Sequence, residues 1–156
     1  MSNWTHVASV FRVDGVNYQL CDEEELDAVR EEKSYEDFVR YVMEKYFGKE
    51  VLWESDETVW EDARKNPNDY LPRGSEGSLK MSIWINPNKS SMASYTVTIF
   101  GDLRDHDSVD SIIEWFKEKC KLFWIRNACC TVSNEWFGTK TISYVSEDKF
   151  LEVSSK

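Results

Sequence analysis

Histidine is scarce in this sequence: His6 and His106 are the only two among 156 residues. Neither a GxSxG elbow nor a catalytic-cysteine signature accompanies them, so the usual Ser–His and Cys–His nucleophile arrangements have no parts to be built from. Cysteine is sparse as well. Cys21, Cys120, Cys129 and Cys130 include no CxxC pair, and no Cys/His pattern at zinc spacing occurs. Successive strand residues point to opposite faces, so neighbours Cys129 and Cys130 are expected on different sides of a strand. The expectation is four free thiols in a reducing cytoplasm. Phosphate-cradling strings are missing too, with no GxGxxG and no Walker A. No apolar run approaches the roughly 20 residues needed to cross a bilayer as a helix. The opening Met1-Ser2-Asn3-Trp4-Thr5-His6 has neither a basic start nor an apolar stretch, so a cytoplasmic chain without a secretory signal is expected. Nothing in these strings asks for a cofactor, and no residue is assigned a catalytic role.

What is present is apolar bulk and acid. Hydrophobic residues make up 41% and aromatics 14%, including seven Trp, which is too rich for a disordered chain. A chain of this length forms one ordinary domain and folds without a metal or disulfide. The net charge of −10 is lopsided. Residues 1–78 hold 19 acids and 9 bases, whereas residues 79–156 hold 10 of each. An acidic half repels polyanions, which disfavours direct nucleic-acid binding and favours a basic protein partner. The plainer reading is a negative surface that keeps a small protein soluble.

Periodicity locates the elements. Trp4–Val13 reads as a strand. Asp14-Gly15 before Val16-Asn17-Tyr18-Gln19-Leu20 is a hairpin signal. Asp22-Glu23-Glu24-Glu25-Leu26-Asp27 reads as an acidic stretch leading to the first helix. That helix is capped by Ser34, with Asp37 in the capping-box position. It presents Tyr35, Phe38, Val39, Val42, Met43 and Tyr46 at helical spacing and stops at Gly48. Residues 56–64 suggest a short helix and 65–78 an ordered loop. Leu79–Asn86 and Ser94–Phe100 alternate as an antiparallel strand pair. A second helix opens at Asp107-Ser108 and buries Val109, Ile112, Ile113, Phe116 and Cys120. Lys117, Lys119 and Lys121 favour its C-terminal end. A hairpin of about 124–134 and 139–144 follows, and residues 147–156 read as a polar, frayed tail after a single domain of 1–146. The order implies an α+β, ferredoxin-like split βαβ sandwich. Two helices cover one face of an antiparallel sheet, which carries an added edge strand or hairpin.

Two surfaces are candidates for function. Asp102, Asp105, His106 and Asp107 concentrate hard oxygen donors and an imidazole at a strand-to-helix junction. Such a set suits a divalent metal or a small metal- or ligand-dependent enzyme. The spacing is not that of an EF-hand, and the plainer reading is helix capping with Arg104 pairing to nearby carboxylates. The run Arg73-Gly74-Ser75-Glu76-Gly77-Ser78 precedes a strand rather than a helix, which speaks for a turn over an anion cradle. The other candidate is an interaction surface of Glu23, Glu24, Glu25, Trp53, Trp60 and Trp84. Trp and Tyr bordered by acids recur at protein interfaces, and the plainer alternative is a second small core under residues 49–78.

The strings Leu71-Pro72-Arg73-Gly74-Ser75-Glu76-Gly77-Ser78-Leu79, Asn86-Pro87-Asn88-Lys89-Ser90-Ser91-Met92 and Phe100-Gly101-Asp102-Leu103-Arg104-Asp105-His106-Asp107 resemble small uncharacterised proteins encoded by phages and prophages of Gram-positive bacteria. The resemblance covers about residues 70–145. It implies a bacterial host cytoplasm and an accessory role in infection. Such accessory proteins are often acidic inhibitors of host nucleic-acid machinery. The leading expectation is therefore a non-enzymatic acidic interaction protein docking on a basic host protein. The alternatives are the metal-dependent enzyme above and a self-assembling module that pairs sheet edges between copies.

Overall fold

The computed structural model describes residues 3–17, 20–47, 72, 76–86, 95–105 and 109–155. Among these lie six strands and three helices. They are β1 (Trp4–Val16), α1 (Glu23–Glu32), α2 (Tyr35–Tyr46), β2 (Glu76–Ile85), β3 (Tyr95–Arg104), α3 (Val109–Lys121), β4 (Phe123–Asn134), β5 (Gly138–Ser146) and β6 (Lys149–Ser155). The fold is α+β. All strands join one antiparallel sheet in the order β2-β3-β1-β4-β5-β6. The α1–α2 connection from β1 to β2 passes β3, and the α3 connection from β3 to β4 passes β1.

Alternation decides which face each strand buries. Thr5, Val7, Ser9, Phe11 and Val13 of β1 are buried, as are Leu79, Met81 and Ile83 of β2, Tyr95, Val97, Ile99 and Leu103 of β3, and Ala128, Cys130 and Val132 of β4. The helices press their stripes on this face: Leu26 from α1; Phe38, Val39, Val42 and Met43 from α2; Ile112, Ile113 and Phe116 from α3. A run of rings crosses the layer. Phe123 stacks on Phe47 at 5.1 Å, and Phe11 meets both Phe47 and Phe116 at 5.0 Å. Phe116 then meets Phe150 at 6.1 Å, with Tyr144 beyond. Trp115, off the stripe of α3 by spacing, still meets Phe11 edge-on at 6.0 Å. Fully burying one such ring is worth roughly 1.5–3 kcal/mol, so this run anchors the sheet-to-helix packing.

Several expectations change. The acidic stretch after residue 21 is itself a helix: the Asp22 side chain accepts from the Glu25 N–H, and Glu23, Glu24 and Glu25 fill the favourable first turn. Asp14-Gly15 does not turn the chain. β1 continues to Val16, and Gly15 and Val16 pair with Trp124 and Phe123 of β4. The register slips once on each strand here. The two skipped residues, Asp14 and Arg126, then meet, with Arg126 Nε 3.2 Å from both carboxylate oxygens. Asn17 leaves the strand and ties it to the end of α3, its N–H donating to the Leu122 carbonyl at 2.9 Å and its side chain to the Lys121 carbonyl. Strand β2 begins at Glu76, so the last three residues of the expected glycine loop are strand. Residues 149–155 form β6 against β5 rather than a frayed tail. The expected helix at 56–64, the loop through residue 75 apart from Pro72, and the cap at Asp107-Ser108 lie outside the described residues.

Candidate functional site

Asp102 stands inside β3 rather than in a loop, because the ladder with β1 runs on through Arg104. Its cross-strand neighbour is His6, and Asp102 Oδ1 lies 2.5 Å from His6 Nδ1 on the face opposite the helices. Both side chains are exposed. Asp105 is turned away from that pair. It adopts a left-handed conformation (φ 54°), its backbone N–H donates to the Asn3 carbonyl, and its carboxylate accepts from the Asn3 N–H at 3.1 Å. Arg104 Nε lies 3.6 Å from the same carboxylate. Both carboxylates are thus engaged in holding the fold. Asp102 pairs across the β1–β3 ladder, and Asp105 fastens the start of the chain. No group of three metal-ligating side chains converges among the described residues, and His106 and Asp107 lie outside them. Sequence reading missed His6 as the partner of Asp102. The two lie 96 positions apart, and no local pattern links them.

The acids of the proposed interaction surface sit on the helix layer. From Asp22 to Phe47 the chain carries ten acidic and four basic side chains, net −6 of the total −10. Nine of the ten acids are exposed: Asp22, Glu23, Glu24, Asp27, Glu31, Glu32, Glu36, Asp37 and Glu44. Glu25 is the exception. Its carboxylate accepts from the Tyr41 hydroxyl and the Lys45 ammonium of α2, clamping α1 to α2. Lys45, then Tyr41, hold that carboxyl below the usual glutamate range. The hydroxyl of Tyr46 accepts from the Asp22 N–H, completing the joint between the helices. Glu23 and Glu24 are therefore exposed carboxylates, whereas Glu25 is already engaged.

Trp84 lies elsewhere. It is 54% exposed on the bare sheet face, so it and the acidic helices face opposite directions. The bare face is built of Ser82, Thr96, Thr98, Thr131, Thr141 and Ser143, with Trp84, Phe100, Trp124, Leu151 and Val153 exposed among them. Trp53 and Trp60 lie outside the described residues. Exposed Trp136 and Phe137 form the β4–β5 turn, whose N–H groups donate to Asn134 Oδ1 at 2.8 and 3.1 Å.

Two buried groups complete the electrostatics. Lys119 does not serve the end of its own helix. It donates to the Tyr46 carbonyl at the end of α2 and lies over the Phe47 ring, and burial lowers its ammonium to about 8. Burial likewise pushes the thiols of Cys120 and Cys130 up to about 12, leaving exposed Cys129 on the opposite face of β4. Among the described residues no helix is long and apolar enough to cross a membrane. Compared with known proteins, the chain matches no protein-family model, no curated protein and no solved structure.

Proposed function

We propose that this chain is a non-enzymatic binding protein whose α1–α2 face docks on a basic surface of another protein. The observation that carries the reading is the placement of nine exposed carboxylates on two clamped helices, beside a second half of the chain with no net charge. Such a field steers a basic partner towards one face and repels polyanions from it. A host nucleic-acid-binding protein offers a basic surface of this kind, and the acidic face would occupy it in place of nucleic acid. A bacterial host cytoplasm and an accessory role in infection, which the strings within residues 70–145 imply by resemblance, are part of the same proposal. The strand order β2-β3-β1-β4, with each helical crossover passing one strand, supports a ferredoxin-like split βαβ core extended by the β5–β6 hairpin.

The test is capture from bacterial lysate by the tagged full chain, compared with a Glu23→Lys, Glu24→Lys, Asp27→Lys variant. A basic protein retained at low salt, released at high salt and lost in the variant is expected, because exposed charge pairs are screened within about 8 Å at physiological ionic strength. Equal capture by the charge-reversed variant sinks the proposal.

A further inference from the structure

Strands β5 and β6 join through the two-residue turn Glu147-Asp148, flanked by the Ser146–Lys149 pair, with Asp148 left-handed at φ 59°. Asp tolerates that conformation better than most residues. β6 then closes the strand order: one side of its backbone pairs with β5, and among the described residues no strand pairs with the other. Natural proteins blunt such edges with proline, bulges, inward charges, lysines or brevity. Lys149-Phe150-Leu151-Glu152-Val153-Ser154-Ser155 has no proline and no glycine, and its register with β5 is unbroken from Ser155 to Phe150. Its one lysine, Lys149, stands at the start of the strand and the one register slip lies at Val145 of β5, whereas the opposite edge, β2, carries Lys80 in mid-strand.

The two faces of β6 differ. Phe150 is anchored against Phe116 and Tyr144. Leu151 and Val153 point to the bare face, 59% and 58% exposed. The one acid, Glu152, lies 3.3 Å from Lys117 Nζ, which also sits over the Phe150 ring. An edge with an internally neutralised charge and exposed apolar side chains suits a strand of the same composition.

We propose that β6 pairs antiparallel with β6 of a second copy about a two-fold axis through Leu151, joining two six-stranded sheets into one. Such an axis stands perpendicular to the sheet, so both helix layers lie on the same side and only residues sharing a face stand opposite one another. About Leu151 the pairs are Leu151 with Leu151, Phe150 with Glu152, and Lys149 with Val153, and no like charges meet. An axis at Glu152 sets two carboxylates opposite each other. An axis at Phe150 sets Glu152 opposite Asp148. Like charges directly opposite destabilise a ladder, so charge disfavours both of these registers, and an axis at Val153, which also avoids like charges, pairs only residues 151–155 and leaves out the start of the strand. This inference is independent of the acidic α1–α2 face.

Sedimentation equilibrium of the full chain, from micromolar to millimolar protein, is expected to show a mass rising from 18.4 kDa towards twice that value. Leu151→Lys sets two ammonium groups opposite each other at the axis and should weaken association about tenfold or more. Its circular dichroism should stay unchanged, because the residue is exposed. In a Cys129→Ser background, oxidised Leu151→Cys should cross-link to dimer much faster than Leu20→Cys, which places a thiol at another exposed leucine. A monomer at every concentration overturns the proposal. So does a dimer indifferent to Leu151→Lys, or cross-linking of Leu151→Cys no faster than that of Leu20→Cys.

Discussion

On one face of the sheet Val7, Phe11, Met81, Val97, Ile99 and Val132 are sealed under three helices. On the other, Trp84, Phe100, Cys129, Leu151 and Val153 stand in water among serines and threonines. Both sets come from one sheet, one residue out of phase along its strands. The covered face holds the ring run from Phe123 to Tyr144 and carries the stability. The bare face carries the recognisable surface chemistry: the His6–Asp102 pair, an exposed thiol and isolated aromatics. Folding therefore leans on one face, which leaves the other, and the outward side of the helices, outside the core. Antiparallel sheets permit this division because only one face must be covered.

The largest expected break in the comparison comes from matched truncations. Phe11→Ala removes a fully buried ring in contact with Phe47, Phe116 and Trp115 and should cost about 3–5 kcal/mol in denaturant unfolding. Phe100→Ala, on the bare face, should stay within about 1 kcal/mol. Equal losses would mean that the bare face is a second core.

The next effect depends on pH and sharpens the covered side. Burial holds Lys119 at about 8 in the folded chain, against the ordinary 10.5 when unfolded. Between those values the unfolded chain binds more protons, so stability should rise with pH through this window. A shift of this size is worth about 3 kcal/mol at most. The raised thiols of Cys120 and Cys130 act in the opposite sense above pH 9, so the measurement is the difference between wild type and Lys119→Met. Wild type should gain on the variant from pH 8 to 10, and a flat difference in Tm would show that Lys119 is not desolvated.

A smaller effect tests the rim between the faces. Asn134 is buried, donates to Thr5 Oγ1 at 2.8 Å and accepts two N–H groups of the β4–β5 turn. Asn134→Ala orphans them and should cost about 1–3 kcal/mol. Hydrogen exchange should then speed first at Trp136 and Phe137 rather than in the ring run. Smallest of all, Ser34→Ala removes the hydroxyl that accepts from the Asp37 N–H at 3.2 Å and should cost about 1 kcal/mol in thermal unfolding.

Legibility in the sequence follows the strength of local signals. α2 and α3 can be read because their apolar spacing is dense, and β2 and β3 because they alternate cleanly. α1 is hard to see because only Leu26 is buried along its ten residues, so its periodicity is thin. Its Asp22 cap, with Glu25 three residues on, is the available signal. β6 escapes because its outward residues are mixed and its order depends on β5. Of the candidate residues, the acids Glu23 and Glu24 are readable as exposed. That Glu25 is a clamp, and that Trp84 faces away from the acids, follows from packing.

Local patterns along the chain are enough for the α+β class, the alternate burial along the strands, the amphipathic stripes and the acidic first half. These rest on neighbours within a turn of helix or a few residues of strand. Long-range packing alone makes β1 run through Asp14-Gly15, brings Arg126 to Asp14 across 112 positions and His6 to Asp102, and lets Lys119 cap α2 from 73 positions away. Those contacts depend on which strands and helices come to lie side by side, and side-chain periodicity contains no information about that choice.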